Sequence, residues 1–167
     1  MSKQSQPNGT GLKEDDIQAN RVLTVAYQPK IKYSWATGIA IGKFLSGLRQ
    51  GQIIGTRCDQ CGRVVVPPRI FCELCFKRTE TWVKLPDTGS VNTFSISHIT
   101  ADTTRIKNPI IPAVIEIDGT SNAGFLHLIG DVKPDDVKIG MKVKAIWQET
   151  TKRQASITDI KYFAPIR

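Results

Sequence analysis

The spacing of apolar residues changes character along this chain, and each change predicts a different element. From about Ile17 to Tyr33 the pattern alternates, with Val22, Thr24 and Ala26 on one side and Leu23, Val25 and Tyr27 on the other, until Pro29 interrupts it. Alternation broken by proline predicts an extended arm with short strand character. Between Trp35 and Gln50 the period becomes helical. Ile41, Leu45 and Leu48 recur at i, i+4 and i+7 with Phe44 beside them, and Gly51 takes the place just past a helix end. Gly38, Gly42 and Ser46 repeat every fourth residue and line an adjacent strip. A glycine inside a helix costs about 1 kcal/mol, so that strip asks for the close approach of another backbone. A partner chain or this protein's own later segments would each supply it.

From Thr81 onward the period is two. The predicted strands are Thr81–Leu85, Ser90–Ile99, Ile110–Ile117, Ala123–Ile129, Met141–Gln148 and Ala155–Phe163. They are separated by turn signals at Pro86–Gly89, Asn108-Pro109, Asp118-Gly119 and Gln148–Gln154. In the fifth, Met141, Val143, Ala145 and Trp147 alternate with Lys142 and Lys144, which gives an inner and a wet face. Asp131–Gly140 starts with an acidic turn and closes on glycine, so it is expected as a short helix. Five or six strands with one helix inserted before the last pair predict a mainly β fold whose barrel is a small Greek key of OB type.

Between helix and barrel lie the four cysteines of the chain, as Cys58-Asp-Gln-Cys61 and Cys72-Glu-Leu-Cys75. A pair with two intervening residues grips one ion from a tight turn, and two pairs complete a tetrahedral sulfur shell. Gly62 after Cys61 suits a knuckle that needs a positive φ. The run Gly62-Arg-Val-Val-Val-Pro-Pro-Arg69 reads as a short strand stopped by two prolines. Zinc is the expected ion, iron the alternative. The competing reading is two disulfides, which the lack of a secretory segment disfavours. So small a module has little apolar surface to bury, and metal binding on the order of 10–16 kcal/mol would hold it together.

Composition adds the sign of the partner. With 23 basic and 15 acidic residues the net charge is +8, and from Arg57 to Lys84 six basic residues face three acidic ones. That sign suits an anionic partner, whether nucleic acid, membrane surface or phosphate-bearing cofactor, and equally a plain solvated basic face. No apolar run reaches the roughly 20 residues of a membrane span, and the polar start carries no signal-like segment, so a cytoplasmic protein is expected. The organisation read from these signals is a disordered tail over 1–16, an extended arm over 17–33, a docking helix over 34–52, a zinc ribbon over 53–80 and an OB-fold barrel over 81–167.

The order CxxCG, PPR, CxxC and barrel resembles a family that couples a rubredoxin-like zinc ribbon to an OB-fold and accompanies thiolases. The likeness runs from Ser34 to Pro165. It is carried by Trp35, Gly38, Phe44, Leu45, Leu48 and Gly51, by Thr56-Arg-Cys-Asp-Gln-Cys-Gly62, by Pro67-Pro-Arg69, and by Cys72 with Cys75. Gly89-Ser-Val, Pro112-Ala-Val and Ile139-Gly-Met-Lys-Val continue it. The resemblance implies an acyl-CoA-associated accessory or scaffold subunit that bridges or completes condensing enzymes. Such enzymes are acetoacetyl-CoA thiolase with hydroxymethylglutaryl-CoA synthase in archaea, or specialised thiolases of bacterial degradation pathways. It also implies help in holding coenzyme A, the catalytic residues coming from the partner.

Thiolase chemistry needs an activated cysteine and proton-moving groups. With Cys58, Cys61, Cys72 and Cys75 committed to metal, and His98 and His127 on predicted strands, the chain is expected to be non-catalytic. Arg63 and Arg69 near the ribbon, with Arg105 and Lys107 in the loop before Pro109, are the expected contacts for a coenzyme A thioester. Packing and capping of the ribbon turn is the other role open to the two arginines. The rival function is nucleic-acid binding, since ribbons and OB-folds both serve it. That would need stacking aromatics exposed on the barrel, and Phe94 and Phe125 alternate as core residues instead.

Overall fold

The computed structural model describes residues 11, 13–22, 34–100 and 104–166. The extended arm expected up to residue 33 lies, from residue 23, outside the described residues, as does the polar start through residue 10. The chain divides into two compact units, Met1–Trp35 and Ala36–Arg167. In the first, a short helix, α1 (Glu14–Gln18), stands where the end of a disordered tail and the start of the arm were expected. Glu14, Asp15 and Asp16 fill its first turn, where the helix dipole favours carboxylates, and Asp16 accepts the Lys13 N–H at 3.1 Å.

The second unit opens with α2 (Gly38–Arg49), ended by Gly51 at φ +72°. Its buried residues are Ala40, Phe44, Gly47 and Leu48, while Ile41 is 36% exposed and Leu45 only half-buried. The buried face is thus rotated from the expected Ile41–Leu45–Leu48 stripe onto Phe44 and Leu48. The close approach falls at a different glycine as well. A Cβ on Gly47 would stand 2.6 Å from Ile54 Cγ1 and 3.0 Å from the Gln52 carbonyl, whereas Gly42 meets only the Thr37 hydroxyl at 3.3 Å and Gly38 meets nothing within 4 Å.

After α2 the chain forms a three-stranded antiparallel sheet of β1 (Ile53–Arg57), β2 (Val64–Val65) and β3 (Thr81–Leu85), in the order β2-β1-β3. The barrel follows, made of β4 (Thr88–Phe94), β6 (Arg105–Ile117), β7 (Gly124–Ile129), β8 (Lys142–Trp147) and β9 (Ile160–Pro165). Order β4-β8-β9-β7-β6, closed by β4 on β6, gives five barrel strands, and β5 (Ser97–Ile99) adds to the outer edge of β6. This is the mainly β, OB-type architecture expected. β4 pairs with β8 over Thr88–Ser90 and with β6 over Gly89–Phe94, with a bulge between Val91 and Thr93 on the β6 side.

Three expectations are corrected. The segment 131–140 is no α-helix; it holds one 3-10 turn, Pro134–Asp136. Lys133, before a proline, is extended (ψ 142°), and Val137 turns inward at 5% exposure with extended dihedrals that end the turn. The predicted strand Ser90–Ile99 breaks after Phe94, and β6 runs back through the predicted turn at Asn108-Pro109, where a register shift against β5 absorbs the proline. Finally, β9 starts at Ile160 rather than Ala155, because Ser156 and Asp159 cap a 3-10 turn, Ile157–Asp159.

One apolar cluster joins these parts. Phe44 and Leu48 of α2, Ile53 of β1, Val66 and Leu85 pack with Val91, Ile115, Phe125, Val143, Ile160 and Phe163 of the barrel. Phe44 meets Phe125 edge-on at 5.8 Å, and Phe125 meets Phe163 at 6.1 Å. The helix therefore belongs to the core of the barrel. Ribbon and barrel are also joined by main chain: Ser121 N–H donates to the Val64 carbonyl at 2.9 Å, and Val64 N–H to the Ser121 hydroxyl at 3.1 Å. Among the described residues no helix is long and apolar enough to cross a membrane.

Candidate metal centre and the groove beside it

Each cysteine pair forms the same turn. Gly62 N–H donates to the Cys58 carbonyl and Cys58 N–H to the Arg63 carbonyl, both at 2.8 Å. Phe76 N–H donates to Cys72 and Cys72 N–H to Lys77 at the same distances. The residue after each second cysteine has positive φ, +71° at Gly62 and +52° at Phe76, which turns each pair back on itself. The second turn is tied down by Thr56, fully buried, whose hydroxyl accepts the Arg69 N–H and donates to the Arg69 carbonyl, each at 3.1 Å. Thr79 also donates to that carbonyl. The stretch after β2, with a cis Val66–Pro67 peptide, thereby delivers Cys72 to the first knuckle.

The four Sγ atoms lie within 4.8 Å of one another, and Cys61 and Cys72 are 3.7 Å apart. A tetrahedral zinc with bonds of about 2.3 Å spaces its sulfurs about 3.8 Å apart, so these residues fit the ion. Cys58 and Cys72 are buried, Cys75 half-buried and Cys61 exposed. Hydrogen bonding from the Cys61 N–H holds the Cys58 thiol down at about 7. The Cys61 sulfur, together with burial, pushes Cys75 up to about 12. Sulfurs this close share negative charge badly without a cation among them. An ion held here would have four protein thiols as its ligands, a closed shell with no place for substrate.

Beside the cluster, between ribbon and barrel, lies a groove of about 310 Å³ bordered by Arg63, Arg69, Asn92, Glu116 and Asn122. The structure brings Arg63 and Arg69 together on one carboxylate. Arg63 bonds Glu73 Oε1, and Arg69 Nη1 stands 3.2 Å from Oε2, near enough for charge but not aligned as a hydrogen bond. The Glu73 carboxyl is held below its usual range by its own N–H and then by the two guanidinium groups. Glu73 is the site residue that sequence reading missed, because nothing in the spacing distinguishes it from a solvated knuckle residue. Arg105 and Lys107 are exposed at the far end of β6. They lie seven to nine strand positions before the groove residue Val114, on the order of 25 Å of extended chain, and are not brought into the groove.

Neither histidine borders the groove. His98 is exposed on β5. His127 accepts the Leu128 N–H at Nδ1 (2.9 Å) and reaches the Ile157 carbonyl with Nε2 (3.2 Å), which places its proton on Nε2 and its ring edge-on to Phe163. No barrel aromatic is exposed among the described residues: Phe125 and Phe163 are buried, and Phe94, Trp147 and Tyr162 are half-buried.

A family model described as the rubredoxin-like zinc ribbon domain of ChsH2 matches residues 45–80, and one described as the C-terminal OB-fold domain of ChsH2 matches residues 82–148. A DUF35 domain-containing scaffold protein of Methanocaldococcus jannaschii is 37% identical over 97 residues, 58% of this chain and 67% of that one. A protein of the same description from Methanothermobacter thermautotrophicus is 26% identical over 98 residues, covering 58% and 72%. Among solved structures, a DUF35-family protein of unknown function from Sulfolobus solfataricus superposes with a TM-score of 0.57 at 31% identity, over 66% of this chain and 79% of that chain. The Ltp2-ChsH2(DUF35) aldolase matches with a TM-score of 0.56 over 83% and 98% of the two chains, and at 20% identity that likeness is one of fold.

Proposed function

The chain belongs to the DUF35 family, in which a rubredoxin-like zinc ribbon precedes an OB-fold, and from that premise we propose that it is a non-catalytic, zinc-holding scaffold subunit of a thiolase-type acyl-CoA enzyme. The observation that carries this reading is the gathering of all four cysteines into one cluster. The chain then keeps no thiol to take up an acyl group, and bond-making falls to a partner. The methanogen relatives are described as scaffold proteins, and the fold recurs in an aldolase that contains a DUF35 chain. Cys58, Cys61, Cys72 and Cys75 would hold a zinc ion that supplies shape rather than chemistry, tying the two knuckles together.

Within that role the groove would receive the anionic end of a coenzyme A thioester. Arg63 and Arg69 share one carboxylate, Glu73, while Glu116 stands on the barrel side, so the positive charge is confined to the ribbon wall, where Arg69 is 55% exposed toward solvent. Its guanidinium can turn from Glu73 to a phosphate while Arg63 stays on Oε1, at the cost of leaving the buried Oε2 without its nearest cation. Arg105 and Lys107 would contribute only long-range attraction. Nucleic-acid binding is the weaker reading, because among the described residues the barrel presents no exposed aromatic to stack on a base.

The test is co-expression of the full chain with thiolase-family chains of its own genome, acetoacetyl-CoA thiolase and a hydroxymethylglutaryl-CoA synthase among them. A stoichiometric complex that turns over an acyl-CoA, together with an inert zinc-loaded chain alone, is expected. Arg69→Ala should raise the KM for the thioester several-fold with kcat little changed. Turnover by the isolated chain, or steeply salt-dependent RNA or DNA binding with no thiolase-type partner, would overturn the reading.

A further inference from the structure

The two knuckles are built alike and finished differently. Position for position, Asp59, Gln60, Gly62 and Arg63 of the first correspond to Glu73, Leu74, Phe76 and Lys77 of the second, with the same pair of 2.8 Å backbone hydrogen bonds. Holding an ion needs the cysteines and those bonds, which the first knuckle supplies with a polar tip. The second presents Leu74 at 67% and Phe76 at 83% exposure, with Phe71 and Ile70 half-exposed alongside. Phe76 does so at φ +52°, a conformation that glycine adopts freely and a phenylalanine does not. The protein thus bears backbone strain to hold an aromatic ring in water, and neither the core nor the cluster uses that ring.

The charges around this tip are also one-sided. Arg63, Arg69, Lys77 and Arg78 outnumber Glu73 and Glu80 about it; the three arginines are paired with those acids, and Lys77 is the cation left without an ion pair among the described residues. An apolar point within a basic rim fits an apolar depression within an acidic rim. A base could stack on Phe76 within that rim, but only an apolar protein surface would also cover Leu74, Ile70 and Phe71.

Resting on the scaffold reading above, we propose that the second knuckle is the anchor by which this chain docks, Leu74 and Phe76 entering an apolar depression with a carboxylate-bearing rim on the enzyme subunit. Buried aromatic and aliphatic anchors of this kind dominate interface energetics, and the surrounding charges set orientation and rate.

The variant that tests this gives the second knuckle the tip of the first, Leu74→Gln with Phe76→Gly. Both changes suit the backbone, so metal content and thermal stability should hold or rise. Binding to the co-purified thiolase-type subunit should weaken at least 30-fold by titration calorimetry. Lys77→Glu alone should slow association and flatten its salt dependence. A photo-crosslinking residue at position 76 should label the enzyme subunit, and one at position 60 should not. Retention of wild-type affinity by the double variant in an intact complex would overturn the anchor and leave the scaffold role standing. Crosslinks from position 76 to a second copy of this chain would overturn it too. Failure of the wild-type chain to bind any thiolase-type subunit would remove both.

Discussion

If α2 is part of the barrel core, truncating Phe44 must damage the protein even in the absence of any partner. Phe44 is 3% exposed and meets Phe125 edge-on at 5.8 Å and 69°, and Phe125 in turn leans on Phe163. Phe44→Ala removes a buried ring and leaves a void bounded by rings that cannot close over it. Such truncations cost about 3–5 kcal/mol, of which the aromatic edge contact accounts for about 1. For a unit of this size the melting temperature should fall on the order of 12 °C. Urea unfolding of the zinc-loaded chain, read from Trp82 and Trp147 fluorescence, would measure it. Ile41→Ala is the control: at 36% exposure it should cost less than about 1 kcal/mol, although the sequence period places it on the buried stripe. Equal losses in the two variants, or a loss under about 1 kcal/mol for Phe44→Ala, would refute the assignment of α2 to the core.

Other outcomes follow from single sites. Metal analysis should find one zinc per chain; a strong chelator, or Cys72→Ser, should open residues 58–80 to proteolysis, and an unchanged digestion pattern would sink the metal assignment. Phe76→Gly should raise stability by about 1 kcal/mol in chemical denaturation, the opposite sign from its effect on docking. Asp118 accepts from Lys142 Nζ at 2.8 Å and from the Thr88 hydroxyl at 2.7 Å, and these hold its carboxyl below the ordinary range. Because the folded value is depressed, its contribution is present above pH about 4 and is lost as pH falls further. The side chain is 37% exposed, so the effect should be about 0.5 kcal/mol after screening. Asp118→Asn should flatten the acid limb of the stability profile. Asp159 is 2% exposed and accepts the Gln154 and Ser156 N–H groups at 2.8 and 3.2 Å. Its replacement by alanine should cost about 2–3 kcal/mol in the same denaturation assay.

What the sequence determined by itself was whatever is carried by local spacing. Two CxxC pairs specify their knuckles because ligand spacing and the turn are one property of a few consecutive residues, and β3 was bounded as Thr81–Leu85 because its alternation and its turns are local too. The breaks at Ser95 and the 3-10 turns at Pro134 and Ile157 escaped. There a bulge, a proline or a Ser156–Asp159 cap outweighs a weak apolar period over three or four residues. Only tertiary structure decided which face of α2 is buried, since Ile41 and Phe44 are equally apolar and the barrel mouth, with Phe125 inside it, makes the choice. Only it decided that Arg63 and Arg69 share Glu73, a pairing created when Thr56 and Thr79 fold the chain after β2 back over the first knuckle. And only it set an exposed Phe76 against Gly62 on matching turns, because surface and strain are properties of the folded chain and have no period to read.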